Sequence, residues 1–108
     1  MKLSSIPFEK IENGTKIIES RLFDEKRQAI SLGDSIIFSM SDDPSRKVST
    51  EVIGLLRYAS FKQLFKDHDP KMFGGETAED LLHEIKQFYS DEDESKYGVL
   101  GIRLAKID

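Results

Sequence analysis

The order of the strand and helix patterns constrains the fold more than any other feature of this chain. The patterns follow the order helix, strand, turn, strand, strand, helix, helix, strand. This order lacks the strand–helix–strand alternation from which parallel sheets are built. It therefore indicates an α+β domain with a largely antiparallel, curled sheet.

The strand patterns rest on alternating apolar residues and on turn residues at their ends. Four segments are predicted as strands: Lys16–Phe23, Ser35–Met40, Lys47–Tyr58 and Gly98–Ile107. In the third segment the apolar phase changes across Gly54, which predicts a β-bulge or bend at that point.

The helix patterns rest on caps and on apolar residues spaced along one face. Ile6–Glu12 is predicted as a short helix, Ser60 has the capping-box spacing of a helix start, and Thr77 caps the longest helix, to Tyr89. The apolar stripe of that longest helix is predicted to be core: Leu81, Leu82, Ile85, Phe88 and Tyr89. Residues 24–28 and 90–94 are predicted as charged turns, each able to form a helical turn.

Composition excludes several classes of site. The 108 residues include no Cys and only two His, so neither disulfides nor a thiolate or histidine-rich metal site is expected. We expect no cofactor. No apolar run approaches the roughly 18 residues of a membrane span, and the N-terminal residues lack the apolar segment of a signal peptide. The sequence predicts one soluble, cytoplasmic domain over residues 1–108, with no membrane partner.

The charge is unevenly distributed. Residues 1–66 hold 11 Lys/Arg against 9 Asp/Glu, a balance of +2, whereas residues 67–108 hold 5 against 11, a balance of −6. The net charge of −4 argues against nonspecific binding to long duplexes, which requires many neutralised phosphates. A local basic cleft in the first part is still compatible with one nucleotide or a short single strand.

Three ionic side chains make the segment after Gly14 the candidate binding site: Lys16, Glu19 and Arg21. Arginine offers a planar donor fork to phosphate or a base edge, and glutamate accepts from an exocyclic amine. Glu19 and Arg21 share one strand face, where a mutual salt bridge is the alternative interpretation. Strict alternation places Lys16 on the other face, unless it lies in the turn or the strand is bulged.

Three further side chains are candidate ligand contacts. Arg27 lies in a charged turn, where an exposed, mutually neutralised cluster is the alternative. Tyr58 and Tyr97 are candidates for stacking on a base, since aromatic faces accept bases without sequence preference. Tyrosines at such positions are also often core or rim residues whose hydroxyl bonds to backbone.

Several segments together resemble the ASCH domain (activating-signal-cointegrator homology). The matching segments, in chain order, are Gly14–Arg21, Arg27, Gly33-Asp34 with Phe38, Tyr58–Phe61, Tyr89–Glu94 and Tyr97–Ile102. The resemblance implies a curled β-barrel akin to the PUA RNA-binding fold, with flanking helices and a cleft floored by Lys16, Glu19 and Arg21. It also implies binding of RNA, a nucleotide or a nucleoside.

One branch of that family hydrolyses acetylcytidine nucleosides with a lysine, a threonine three residues later and a downstream glutamate. Lys16 matches the lysine, but Glu19 occupies the threonine position and Glu76 is at best a shifted counterpart of the glutamate. The resemblance therefore does not transfer that mechanism to this chain.

The sequence supports one leading hypothesis and two alternatives. The leading hypothesis is an RNA- or nucleotide-binding domain with its cleft at Lys16, Glu19 and Arg21. The first alternative is a hydrolase acting on modified nucleosides or RNA, in which Glu19 is the general base and Lys16 stabilises the oxyanion. The second is a protein-interaction module that uses the acidic helix face of residues 76–96.

Overall fold

The computed structural model describes residues 1–107, which form a mixed α+β fold. The described strands are β1 (Lys2–Leu3), β2 (Ile18–Leu22), β3 (Ser35–Met40), β4 (Lys47–Tyr58) and β5 (Val99–Lys106). The described helices are α1 (Ser5–Glu12), α2 (Glu25–Gln28), α3 (Phe61–Asp67), α4 (Ala78–Ile85) and α5 (Asp91–Tyr97). A 3-10 turn, Pro70–Phe73, lies between α3 and α4.

The strands make one curled sheet in the order β1-β3-β4-β5-β2. The β1–β3 pair is parallel and the other three pairs are antiparallel. The predicted α+β class and the largely antiparallel, curled sheet are thus confirmed. The sheet curls into a half-barrel whose two edge strands are β1 and β2. The gap between these two edges is the seam of the sheet.

A β-bulge bends the longest strand where the change of apolar phase predicts it. Val52 pairs with Leu104 and Gly54 with Arg103, so Ile53 is the extra residue of β4. A Cβ at position 54 would lie 3.0 Å from the Cβ of Arg103. Glycine therefore permits the close approach of β4 and β5 at the bulge, which bends a strand and increases its twist.

The two faces of the sheet contribute to two separate apolar cores. The first core joins β3, β4 and β5 to α1, with Phe8, Phe38 and Ile102 fully buried. The second packs α3, α4 and the 3-10 turn against β2 and the start of β5, around Phe61 and Leu64.

The helix starts follow their predicted caps. Ser60 accepts a hydrogen bond from the Gln63 amide at 3.2 Å, and Thr77 accepts one from the Asp80 amide at 3.1 Å. These caps satisfy amides that the first helical turn leaves without a partner. The predicted starts of α3 and α4 are confirmed.

The predicted end of α4 is wrong, and with it the core assignment of Phe88. The helix ends at Ile85 rather than Tyr89, and Phe88 is 78% exposed. Beyond Ile85 the Gln87 and Phe88 amides bond to carbonyls three residues back. This tighter winding rotates the chain away from the 3.6-residue period on which the apolar stripe depends.

The strands also differ from the predictions at the start of β2 and in the presence of β1. The strand predicted to begin at Lys16 begins at Ile18, and β1 was not predicted at all. Two residues are too few to show an alternating pattern, so β1 has no signal in the sequence. Its place in the sheet comes from parallel pairing with Ser39 and Met40 of β3.

Candidate functional site

A cavity of about 460 Å³ opens at the free edge of β2, beside the seam of the sheet. Lys16, Glu19, Ser20 and Arg21 line one side of it. Its other walls come from β1 and the start of α1, from α3 and the 3-10 turn, and from α4 with the residues that follow it. The three predicted ionic residues therefore share one concave space.

Glu19 is the centre of a buried ionic cluster on the cavity floor. Its Oε1 accepts a hydrogen bond from Lys16 Nζ at 2.7 Å. Its Oε2 accepts from Arg21 Nε at 3.0 Å and Nη2 at 2.8 Å. The alternative interpretation of a salt bridge between Glu19 and Arg21 is thus also correct, and it coexists with the cavity.

Lys16 reaches Glu19 because it precedes the strand. Its amide donates to the Lys10 carbonyl at 2.9 Å, and the amide of Ile17 donates to Met72 at 2.8 Å. These bonds hold residues 16 and 17 in a connection between α1 and the 3-10 turn. Lys16 therefore does not follow the alternation of strand residues. Its side chain can reach Glu19, although strict alternation would place the two on opposite faces.

The two cations keep the buried carboxylate ionised. Burial alone raises the pKa of Glu19, but Lys16 and Arg21 outweigh it, so the pKa lies below the ordinary value of 4.5. Burial lowers the pKa of Arg21, yet Glu19 and the nearby Tyr89 hydroxyl raise it overall. At neutral pH the cluster of Lys16, Glu19 and Arg21 carries a net charge of +1.

The position of Glu19 and Arg21 follows from the strand register. Glu19 pairs with Ile102 and Arg21 with Leu100, and residues that pair directly share a face. Both partners belong to the first core. The two ionic side chains therefore extend from the first-core face of β2, at its outer edge, where Arg21 Nη2 lies 3.5 Å from the Lys2 carbonyl across the seam.

The free edge of β2 adds unpaired backbone groups to the cavity. The Ile17 carbonyl accepts from the Leu104 amide, and the Phe23 amide donates to the Gly98 carbonyl. Bonded pairs alternate along an antiparallel ladder, so the odd-numbered residues of β2 bond to β5. Ser20, which lines the cavity, directs its N–H and C=O to the free edge.

The remaining lining of the cavity is largely aromatic and aliphatic. Phe65 and Phe73 meet edge to face, with ring centroids 5.0 Å apart. Tyr89 stacks on Phe61 with centroids 5.7 Å apart and an interplanar angle of 13°. Phe88 also lines the cavity. The site thus combines a cationic floor with aromatic planes.

The other predicted contact residues lie outside this cavity. Arg27 pairs with Asp24 at 3.0 Å, so its charge is neutralised as the alternative interpretation expects, but the pair is largely buried rather than exposed, and the Arg27 Nε is buried without a partner among the described residues. The Tyr58 hydroxyl lies 3.2 Å from His68 Nε2, and the Tyr97 ring lies beneath Lys96. Glu76 does not line the cavity either. Ligand contacts by Arg27, Tyr58 and Tyr97 stay predictions.

The family model of the ASCH domain matches residues 1–108, the whole chain. The chain belongs to the ASCH domain family. The resemblance inferred from Gly14–Arg21 and the later segments is therefore confirmed.

Solved structures share the fold of this ASCH domain. The crystal structure of hypothetical protein PH0355 is 36% identical, with 99% of this chain and 96% of that chain covered and a TM-score of 0.87. The solution NMR structure of protein PF0455 from Pyrococcus furiosus is 29% identical, with 100% and 96% covered and a TM-score of 0.76. No curated protein matches the chain.

The ASCH domain site contains residues that sequence reasoning missed. Phe88 was assigned to the core, and Ser20, Lys2 and Glu84 were not considered as cavity residues. Lys2 and Ser20 lie on edge strands, and only the closure of the sheet brings those edges together. The sequence contains no signal for Phe88, because it lies beyond the end of α4 in a tight turn that the apolar spacing does not show.

Residues 1–107 lack two classes of feature. No helix there is long and apolar enough to cross a membrane. The same residues contain no cluster of three or more His, Asp or Glu side chains arranged to hold a metal ion. Glu19, on the floor of the cavity, is the only charged residue among residues 1–107 that is buried rather than partly exposed.

Proposed function

We propose that this ASCH domain binds RNA or a nucleotide through the cavity beside β2. The observation that carries the proposal is the combination, in one space of about 460 Å³, of three cationic residues, Lys2, Lys16 and Arg21, with several aromatic side chains. Specific small-molecule sites typically have this composition, a mainly apolar cavity with a few convergent polar groups.

The ionic floor supports an anionic ligand. Lys16 has three N–H donors and Arg21 has five, and Glu19 uses one of the former and two of the latter. Unused donors on both side chains remain for phosphate oxygens. The net charge of +1 attracts an anion, and Glu19 holds both cations in place before the ligand arrives.

The rest of the cavity supports a single nucleotide rather than a duplex. Its volume suits a small ligand and excludes a double helix. Aromatic planes bind bases of any sequence by stacking. The backbone N–H and C=O of Ser20 provide one donor and one acceptor suited to the edge of a base.

Binding is better supported than the hydrolase hypothesis. A general base works best with a pKa near the operating pH. The pKa of Glu19 is lowered instead, and both of its carboxylate oxygens accept from cations. The ionic and aromatic lining of the cavity does not bear on the hypothesis of a protein partner at the acidic helix face of residues 76–96.

Nucleotide titration tests the proposal. We expect adenosine and uridine 5′-monophosphates, and single-stranded RNA hexamers, to shift the amide NMR signals of residues 16–21 and 84–89. Lys16→Gln should weaken binding about tenfold or more, because it removes a charge-assisted hydrogen bond. Lys47→Gln, at an exposed lysine outside the cavity, is the matched control.

Two results would contradict the proposal. The first is the absence of any ligand-dependent shift at the cavity amides. The second is equal weakening by Lys16→Gln and Lys47→Gln, which would mean that binding follows overall charge rather than the cavity.

Incubating wild type and Glu19→Gln with acylated nucleosides tests the hydrolase alternative, which requires turnover that the variant loses.

A further inference from the structure

Phe88 is a large aromatic side chain that the fold leaves in water. At 78% exposed, it is the most exposed of the large apolar side chains in residues 1–107, and the others in this exposed group are Ile or Leu. Exposed aliphatic side chains scattered singly are ordinary on a protein surface. An exposed phenylalanine on the wall of a cavity is a different case, because the cavity provides a ligand site beside it.

The turn that carries Phe88 is held in place on both sides. The amides of Phe88 and Tyr89 both donate to the Ile85 carbonyl at 3.1 Å. Tyr89 is anchored by its stacking on Phe61 in the second core. Phe88 is therefore presented at the cavity by fixed neighbours, although its own ring packs against little protein.

We propose that Phe88 is the residue that stacks on the base of an unpaired nucleotide whose phosphate is held by Lys16 and Arg21. This inference rests on the proposed function and names its ligand class: a nucleobase on a single strand or a free nucleotide. Stacking on an exposed aromatic side chain contributes substantially to single-strand binding and tolerates any base. The ring would be covered only when the ligand is present.

The charges of the cavity favour this occupant over an apolar one. A lipid tail or an apolar peptide would cover Phe88, but it would leave the unused N–H donors of Lys16 and Arg21 unsatisfied and their excess charge over Glu19 uncompensated. A nucleotide satisfies both sides of the cavity, with the base on the aromatic wall and the phosphate on the ionic floor. The volume of about 460 Å³ limits the occupant to one such unit.

A fluorescence experiment tests the stacking directly. The chain contains no Trp, so Phe88→Trp introduces a single indole that reports on its own surroundings. We expect adenosine 5′-monophosphate to quench this fluorescence and ribose 5-phosphate, which lacks a base, to leave it nearly unchanged. Leu32→Trp is the control, because Leu32 is 65% exposed and lies outside the cavity.

Affinity measurements separate this inference from the proposed function. Phe88→Ala should weaken adenosine 5′-monophosphate binding about five- to 100-fold, the range seen for lost base stacking. The affinity of Phe88→Ala for ribose 5-phosphate should stay unchanged, and its midpoint of thermal unfolding should equal that of wild type because Phe88 is exposed. Phe88→Tyr should retain nucleotide binding.

Distinct results overturn the two proposals. If Phe88→Ala binds the nucleotide as wild type does while Lys16→Gln does not, the base lies elsewhere and only the stacking role is wrong. Equal loss of nucleotide and ribose 5-phosphate binding in Phe88→Ala also overturns it, because the effect then does not involve the base. If wild type binds neither compound nor single-stranded RNA, the proposed function and the stacking role fall together.

Discussion

This domain contains two clusters of three charged side chains, which have opposite signs of charge at corresponding positions and differ in solvent exposure. On the cavity floor, Glu19 lies between the cations Lys16 and Arg21. At the surface, Lys86 lies between the anions Asp91 and Glu94 and links the end of α4 to α5. The side chain of Glu19 is 5% exposed, whereas those of Lys86 and Asp91 are 37% and 86% exposed.

The difference shows that the number of ion pairs says little about their importance. In water a pair is screened, and separating it returns both charges to a favourable solvent. Around Glu19 the partners are largely desolvated, so removing one leaves a buried charge uncompensated. The buried cluster is also the one that lines a cavity, which makes its charges available to a ligand as well as to the fold.

The largest effect should follow from Glu19→Ala. The variant leaves Lys16 and Arg21 repelling each other without their shared partner, and we expect a loss of about 3 kcal/mol in the free energy of unfolding, near the low end for a broken buried pair because the cavity admits water. Urea denaturation measures it. Asp91→Ala in the surface cluster is the matched control, and an equal loss there would remove the contrast between the clusters.

Acid should weaken the buried cluster in a defined direction. The pKa of Glu19 is lower in the folded state than its ordinary value of 4.5. Its contribution to stability is therefore complete above that value and is lost as the pH falls from about 4.5 through the folded pKa. The difference in unfolding free energy between wild type and Glu19→Gln should shrink over this range. A constant difference from pH 6 to pH 3 would contradict it.

Arg21→Lys should have a smaller effect on the same cluster. Arginine donates two hydrogen bonds to one oxygen of Glu19, from Nε and Nη2. Lysine preserves the charge but lacks the planar donor fork, so we expect a loss of about 1 kcal/mol in unfolding free energy, equivalent to one hydrogen bond. A loss as large as that of Glu19→Ala would show that the fork, rather than the charge, holds the cluster.

The sequence predicts those parts of the fold that local signals determine. The bulge at Gly54 is visible as a change of apolar phase, and Ser60 and Thr77 mark helix starts through their own side chains. Each of these signals lies within a few residues of the structure that it specifies. The α+β class follows in the same way from the order of such local patterns.

The site depends on contacts that are distant in sequence, and for that reason it is only partly predictable. Glu19 and Arg21 share a strand face two residues apart, so their proximity is foreseeable, whereas that of Lys16 depends on its place outside the strand. Phe88 reaches the cavity because the helix ends early and a tight turn follows, which residue spacing does not show. Lys2 reaches it through pairing of β1 with β3, between residues about 37 positions apart.

The smallest effect should come from Lys86→Ala in the surface cluster. The hydrogen bond with Asp91 raises the pKa of Lys86, with Glu94 adding to it, but the side chains of Lys86 and Asp91 are 37% and 86% exposed, so solvent screens this pair. We therefore expect less than about 0.5 kcal/mol in unfolding free energy, decreasing further as salt is added. Denaturation at low and at high salt measures it. A loss comparable to that of Glu19→Ala would mean that the junction of α4 and α5 depends on its charges as much as the cavity floor does.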